Sequence, residues 1–278
     1  MKPSWFVILA IPLLLLLFMA AQIRSATAES ELQLGVEAYK KSSYDEAIRH
    51  FEKSVDLDGS NLNAHMYLAT ACVGQYIPGV STDDNLQYAE KAIMQYQYVL
   101  DSDAERQQKI NSAKGIAYLN LNMKKFDESR KYYKMASDLD PDDPEPYYSV
   151  GVIDWTASYQ PRQEARAKLG VKPQEQLDAA KPDQKNLCDE LNVKSKAAID
   201  EGIDSLNKAI QLRPDYDDAM AYLNLMYREK ADLECDNLTA RKEDLMIADQ
   251  WVDKCLATKK ARAERSAAPK APEFTGVR

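Results

Sequence analysis

Five residue pairs in this chain share one helical frame, and their spacing constrains the fold more than any other feature. Leu34-Gly35, Leu68-Ala69, Ile116-Ala117, Val150-Gly151 and Leu223-Asn224 follow one another at intervals of 34, 48, 34 and 73 residues. Each pair is trailed by a second pattern: a small residue, a large apolar one four later, and an apolar or small one three after that. These read Ala47/Phe51/Ser54, Ala92/Tyr96/Val99, Ser129/Tyr133/Ala136, Gly202/Leu206/Ala209 and Ala248/Val252/Cys255. Steps of four and three hold all members on one face of an α-helix. Asp140-Pro141 and Arg213-Pro214 close two of the units, because proline cannot continue a helix and restricts the residue before it. Nine Gly and 12 Pro in 278 residues are too few turns for a β-sandwich, which leaves helix pairs as the building block. The small residues make room where two helices cross, and no single pair buries its apolar face alone.

At these residues the chain resembles the tetratricopeptide repeat family, whose unit is a 34-residue helix-turn-helix. The clearest stretches are GVEAYKKSSYDEAIRHFEKSVDLD from Gly35, AKGIAYLNLNMKKFDESRKYYKMASDLDPDD from Ala113, and PEPYYSVGVIDW from Pro144 with its delayed partner DEGIDSLNKAIQLRPD from Asp200. The resemblance covers about Glu29 to Leu256. It implies an all-α fold, a right-handed superhelical solenoid of about five units. Two units carry 14 and 39 extra residues between their helices, near 76–85 and 156–185. The second insertion reads as a polar, proline-interrupted loop that then lengthens the following helix at its N-terminal end. Both insertions are expected to emerge at the same edge. The resulting division is residues 1–28 as an export segment, 29–257 as the solenoid, and 258–278 as the end of the last helix followed by a disordered basic tail.

Lys2 precedes an apolar run from Trp5 to Ala21, and Ala26-Thr27-Ala28 places small residues where a signal peptidase needs them. That order reads as a secretory signal peptide cut before Glu29. The run is 17 residues long, at the lower limit for crossing a bilayer, so an uncleaved single-pass anchor is the alternative. On either reading the repeats lie outside the cytoplasm, periplasmic or secreted.

The remaining chemistry is sparse. Two His and four Cys are scattered along the chain without metal-ligand spacing, and no nucleophile sits beside a base, so neither an enzyme, a metal site nor a cofactor is expected. Net charge is −8 with positive ends, and the acidic body between them disfavours nucleic acid. The stretch from Gly74 to Ser81 mimics a phosphate-binding loop, but Val80 stands where a lysine is required. Carboxylate pairs such as Asp83/Asp84 and Asp217/Asp218 lie at helix starts and read as capping charge. Cys72 and Cys255 occupy packing slots. Cys188 and Cys235 fall at the same edge of two neighbouring units; a disulfide there requires the helices to extend at both places, which sequence leaves open.

The resemblance also implies a binding face. First helices line the concave side in this family, which places Tyr39, Met66, Thr70, Asn111, Lys114, Tyr118, Tyr148, Trp155, Ala221, Leu225 and Arg228 toward a partner. Aromatic anchors with few charges suit a peptide or a partner helix. The family's Lys/Asn carboxylate clamp is missing, since Leu32 and Val36 stand at its first positions. The expected function is a non-enzymatic protein-interaction scaffold of the cell envelope, with a chaperone or assembly factor for exported proteins as the alternative. Membrane contact is expected only through the N-terminal segment.

Overall fold

A computed structural model of the chain describes the backbone of residues 5–172 and 175–267, with side chains from residue 18 to residue 266. The apolar run before Phe18 and the tail from residue 268, both subjects of the expectations above, therefore lie wholly or partly outside the described side chains. The described residues form ten helices and no strand, the all-α class expected. They divide into two compact units, residues 1–139 and 140–278.

The first unit holds α1 (Trp5–Lys40), α2 (Tyr44–Leu57), α3 (Leu62–Gln75), α4 (Asp83–Asp101), α5 (Arg106–Asn122) and α6 (Phe126–Leu139). Short turns pair them as α1/α2, α3/α4 and α5/α6, and α2 packs on α3 as α4 does on α5. Starts are set by side chains. Asn61 accepts from the backbone N–H groups of Asn63 and Ala64, and Glu105 and Gln108 form a reciprocal capping box on α5. Ends are set by one recurring turn. Ser42 after α1 and Lys124 after α5 have φ of 57° and 60°, and the N–H groups of Ser43 and Lys125 reach back five residues to the carbonyls of Ala38 and Asn120. This is the Schellman closure, which requires a left-handed residue and here does without glycine.

The small-residue slots behave as packing physics demands. Ala47, Ala92, Ser129, Gly202 and Ala248 are all buried, as are Phe51, Tyr96, Tyr133 and Leu206 four residues on. A methyl group added at Gly35 would meet Phe51 Cε1 at 2.5 Å, and one at Gly151 would run into Leu206. Leu34 is the departure: it is exposed. The insertion near 76–85 is a short loop tied to the first turn of α4. The buried Asn85 amide accepts from the Ile77 N–H and donates to the carbonyls of Ile77 and Val80.

The second unit holds α7 (Pro144–Lys168), α8 (Pro182–Leu212), α9 (Asp217–Leu233) and α10 (Leu238–Ala267). Here the insertion differs from the loop expected of it. Residues 156–168 continue α7 straight through Pro161, α8 begins at Pro182, and the described residues between them, 169–172 and 175–181, form a strap. Gly170, with φ of 67°, closes α7 by the same turn that ends α1 and α5. Val171 and Leu177 bury their side chains and fasten the strap. Cys188 and Cys235 form a disulfide with a Cα–Cα separation of 6.4 Å, joining the extended start of α8 to the α9–α10 turn. Cys72 and Cys255 remain free and buried. Among the residues whose side chains are described, which begin at Phe18, no helix is long and apolar enough to cross a membrane.

Candidate functional site

The residues expected to face a partner fall into two sets, one in each unit. In the first unit Tyr39, Met66, Lys114 and Tyr118 lie on α1, α3 and α5, the successive first helices. Tyr39 is half-buried and tilts against Tyr44 with ring centroids 5.4 Å apart. Met66 is half-buried and its Sδ accepts from Ser112 Oγ at 3.1 Å, while Gln108 Nε2 donates to Asn63 Oδ1, so α3 and α5 are tied along this face. Thr70 donates to the Met66 carbonyl and lies 3.3 Å from the Tyr96 hydroxyl. Lys114 is half-buried, Asn111 is exposed, and Tyr118 leaves 41% of its surface to solvent. An apolar and aromatic strip thus crosses three helices with its outer atoms uncovered, a surface suited to an apolar helix or extended peptide.

In the second unit Tyr148, Trp155 and Arg228 are engaged by their own neighbours. The Tyr148 ring lies 4.8 Å from Tyr216 and 5.8 Å from Tyr222, and burial pushes its phenol well above the ordinary range. Trp155 meets Tyr222 edge-on at 5.5 Å and stacks on Tyr159 at 4.8 Å, with its indole N–H buried and without a hydrogen-bond partner. Tyr159 belongs to the helical extension of α7, so the insertion supplies the ring that covers one face of Trp155. Arg228 donates to Asn224 Oδ1 and pairs with Asp249 at 2.7 Å. Of the other residues expected here, Ala221 and Leu225 are half-buried on α9.

A buried charge cluster beside this aromatic layer was not foreseen. Arg162 Nη2 donates to Glu229 Oε1 at 2.6 Å, its Nε forms an ion pair with Oε2 at the same distance, and it also pairs with Asp232. Asp232 further receives Arg241 at 2.8 Å and Arg166 at 3.7 Å. Arg166, almost wholly buried, donates to the carbonyls of Lys172 and Glu175 and so carries the strap. Burial raises the Glu229 carboxyl to about 7, against the opposing pull of Arg162, and lowers Arg166. The sequence signal was the run Asp154, Ser158, Arg162, Arg166, four buried polar residues at steps of four on α7. The acids that pair with Arg162 and Arg166, Glu229 and Asp232, lie on α9. Glu229 and Asp232 are occupied by arginines, and these pairs fix α7, α9 and the strap.

The histidines are likewise structural. His50 Nδ1 pairs with Glu31 at 2.6 Å, and His65 lies between Gln95 and the Gly59 carbonyl and stacks on Tyr98 at 4.0 Å. Among the described residues no group of three or more His, Cys, Asp or Glu is placed to hold a metal ion.

With this geometry in hand, residues 115–143 match the family model of the tetratricopeptide repeat, spanning the end of α5 through α6 to the turn before α7. The fold is that of a tetratricopeptide-repeat protein. A crystal structure of MamA superposes with a TM-score of 0.56 at 15% identity, covering 88% of this chain and 98% of that one. MamA from Desulfovibrio magneticus RS-1 gives 0.54 at 14% identity over 84% and 96% of the two chains. In sequence, the STIP1 homolog of Dictyostelium discoideum is 28% identical over 109 residues, 39% of this chain. That match takes in 18% of the relative, so the chain spans less than a fifth of the length of the curated protein it matches. The tetratricopeptide likeness accounts for the helix pairs and their packing slots, while the α7 extension, strap and disulfide are local elaborations of the second unit.

Proposed function

We propose that this tetratricopeptide-repeat protein is a non-enzymatic interaction adaptor of the cell envelope, holding a protein or peptide partner along the first-helix face of α1, α3 and α5. The observation that carries this reading is the contrast between the two sets of aromatic residues. Tyr118 is exposed on α5, with half-buried Met66 and Tyr39 on α3 and α1, whereas Tyr148 and Trp155, half-buried as well, each have two ring partners within their own unit. A partner gains most by covering exposed aromatic surface that is already held rigid. The extracytoplasmic setting is supported by the leader-like order of Lys2, apolar run and Ala26-Thr27-Ala28, together with the Cys188–Cys235 disulfide, which persists in oxidising compartments.

The test is crosslinking in living cells from a photoreactive residue at Tyr118, followed by affinity measurement on the partner recovered. Tyr39→Ala with Tyr118→Ala should weaken binding by about 2 kcal/mol or more while leaving the melting temperature near the parent value. Binding that is insensitive to both substitutions would move the site off this face. A set of captured chains as broad as the exported proteome would favour the chaperone reading over the adaptor.

A further inference from the structure

We infer that the N-terminal segment is not discarded: residues 24–28 belong to the first helix pair, and α1 leads without a break from a lipid-embedded anchor into the first repeat. The inference rests on the extracytoplasmic reading above and decides between a leader that is cut away and an anchor that stays.

Three observations converge on it. A cut before Glu29 would be made at the carbonyl of Ala28, and that carbonyl accepts from Ser54 Oγ at 2.9 Å in a buried contact with α2. Ala28 itself is 1% exposed, in the middle of the continuous helix Trp5–Lys40. In the folded full chain that bond is therefore helical and packed against α2. Second, Arg24 closes the end of α2. Its Nε donates to the Leu57 carbonyl at 2.8 Å and its Nη2 to the Asp56 carbonyl at 2.9 Å, two of the carbonyls that every helix end leaves without an intrahelical partner. A residue lying before the cleavage motif thus completes the fold lying after it. Third, the same helix turns apolar and bare just ahead of Arg24. Phe18, Met19 and Ile23 are each more than half exposed, with Met19 and Ile23 one turn apart.

The sequence names what covers these side chains. They continue an uncharged apolar run that reaches back to Trp5, and Lys2 and Arg24 bracket it. As a helix the 17 residues from Trp5 to Ala21 measure about 25 Å, close to the ~30 Å hydrocarbon core of a bilayer. A modest local thinning or the addition of Gln22 and Ile23 makes up the difference. The occupant of this face is therefore lipid acyl chains. Because Arg24 is committed to the α2 carbonyls, the first helix pair sits directly at the membrane surface, with no flexible linker between them.

The experiment uses the full chain expressed with its own N-terminus. Membranes are washed at alkaline pH, and the N-terminal peptide of the retained protein is identified by mass spectrometry. The expected result is a membrane-retained protein whose sequence extends ahead of Glu29. Ala26→Phe, an exposed position that the cleavage motif requires to be small, should leave the mass and distribution of the remaining chain unchanged. Arg24→Ala in the detergent-solubilised full chain should lower the melting temperature of the first unit. A soluble extracytoplasmic protein beginning at Glu29, or an Arg24→Ala melt equal to the parent, would overturn the anchor and leave the adaptor reading intact. Full-length protein free in the cytosol would overturn both.

Discussion

Breaking the Cys188–Cys235 disulfide is the sharpest single perturbation of the second unit. The bond closes a segment of 47 residues that contains most of α8, all of α9 and the turn beyond it. For a loop of that length the chain-entropy model gives roughly 4 kcal/mol of stabilisation through restriction of the unfolded chain. Both cysteines sit among buried apolar side chains that include Leu187, Leu191 and Leu233, and two polar contacts flank the bond. Asn192 Nδ2 donates to the Leu233 carbonyl at 2.8 Å, and Lys185 pairs with Asp236 at 2.9 Å, so nothing nearby replaces a lost covalent link. Urea unfolding followed by the fluorescence of Trp155 and Trp251, both in the second unit, should therefore move to a lower midpoint by about 2 M when Cys188→Ser and Cys235→Ser are combined, taking ~2 kcal/mol per molar for the slope. Thiol titration supplies an independent count. Cys72 and Cys255 are buried, and burial pushes the Cys72 thiol up to about 12, so the native oxidised protein should react slowly if at all. Denatured without reductant, it should present two thiols, and after reduction four. Four thiols before reduction, or an unchanged urea midpoint in the double variant, would refute the assignment and remove the main chemical support for an oxidising compartment.

Three further outcomes follow from the packing. Lys124→Gly and Ser42→Gly should each stabilise the first unit, by up to about 1 kcal/mol in thermal melts, because both positions hold a left-handed φ that glycine adopts without a Cβ penalty. Ala47→Arg should destabilise it by roughly 2 to 4 kcal/mol, since that slot is fully buried between helices; a parent-like melt would show the repeat register to be wrong. The Glu229 carboxyl is raised to about 7 in the fold, so the native state binds the extra proton between its unfolded value and 7, and stability falls as pH rises through that window. Measured against Glu229→Gln, the parent should lose ground between pH 5 and pH 8, and a gain over that interval would mean that the Arg162 pair outweighs burial.

What sequence could convey here was steric. Ala47, Ala92, Ser129 and Gly202 are small because a neighbouring helix passes over them, and that demand acts at a fixed period, so it is visible without knowing which helix passes. The extension of α7 was hidden for the opposite reason. Pro161 removes one backbone donor and signals a break, and Arg162 and Arg166 resemble an ordinary solvated face. Their burial depends on Glu229 and Asp232, more than sixty residues away, which no local pattern announces. Ser42 and Lys124 are a milder case. Both stand where the turn requires a left-handed residue, and without a glycine to mark it the Schellman closure is apparent only in the coordinates.

The same long-range contacts explain why residues at equivalent repeat positions differ between the units. Trp155 and Tyr39 occupy corresponding slots of their first helices, counted five residues on from Val150 and Leu34. After Tyr39 the chain turns at Ser42, and nothing further along α1 exists to cover that ring beyond Tyr44. After Trp155 the helix goes on for three more turns, so Tyr159 arrives one turn later to stack on the indole, and Arg162 and Arg166 lock the added turns against α9. The insertion thus does for the second unit what a bound partner would do for the first: it covers aromatic surface on a first helix and holds it rigid. An exposed aromatic strip is costly to maintain unless something uses it; the α7 extension stacks a further ring on Trp155, while on the other strip, beside half-buried Tyr39 and Met66, Tyr118 stays exposed. That asymmetry, more than the repeat itself, is the reason for placing the partner on α1, α3 and α5.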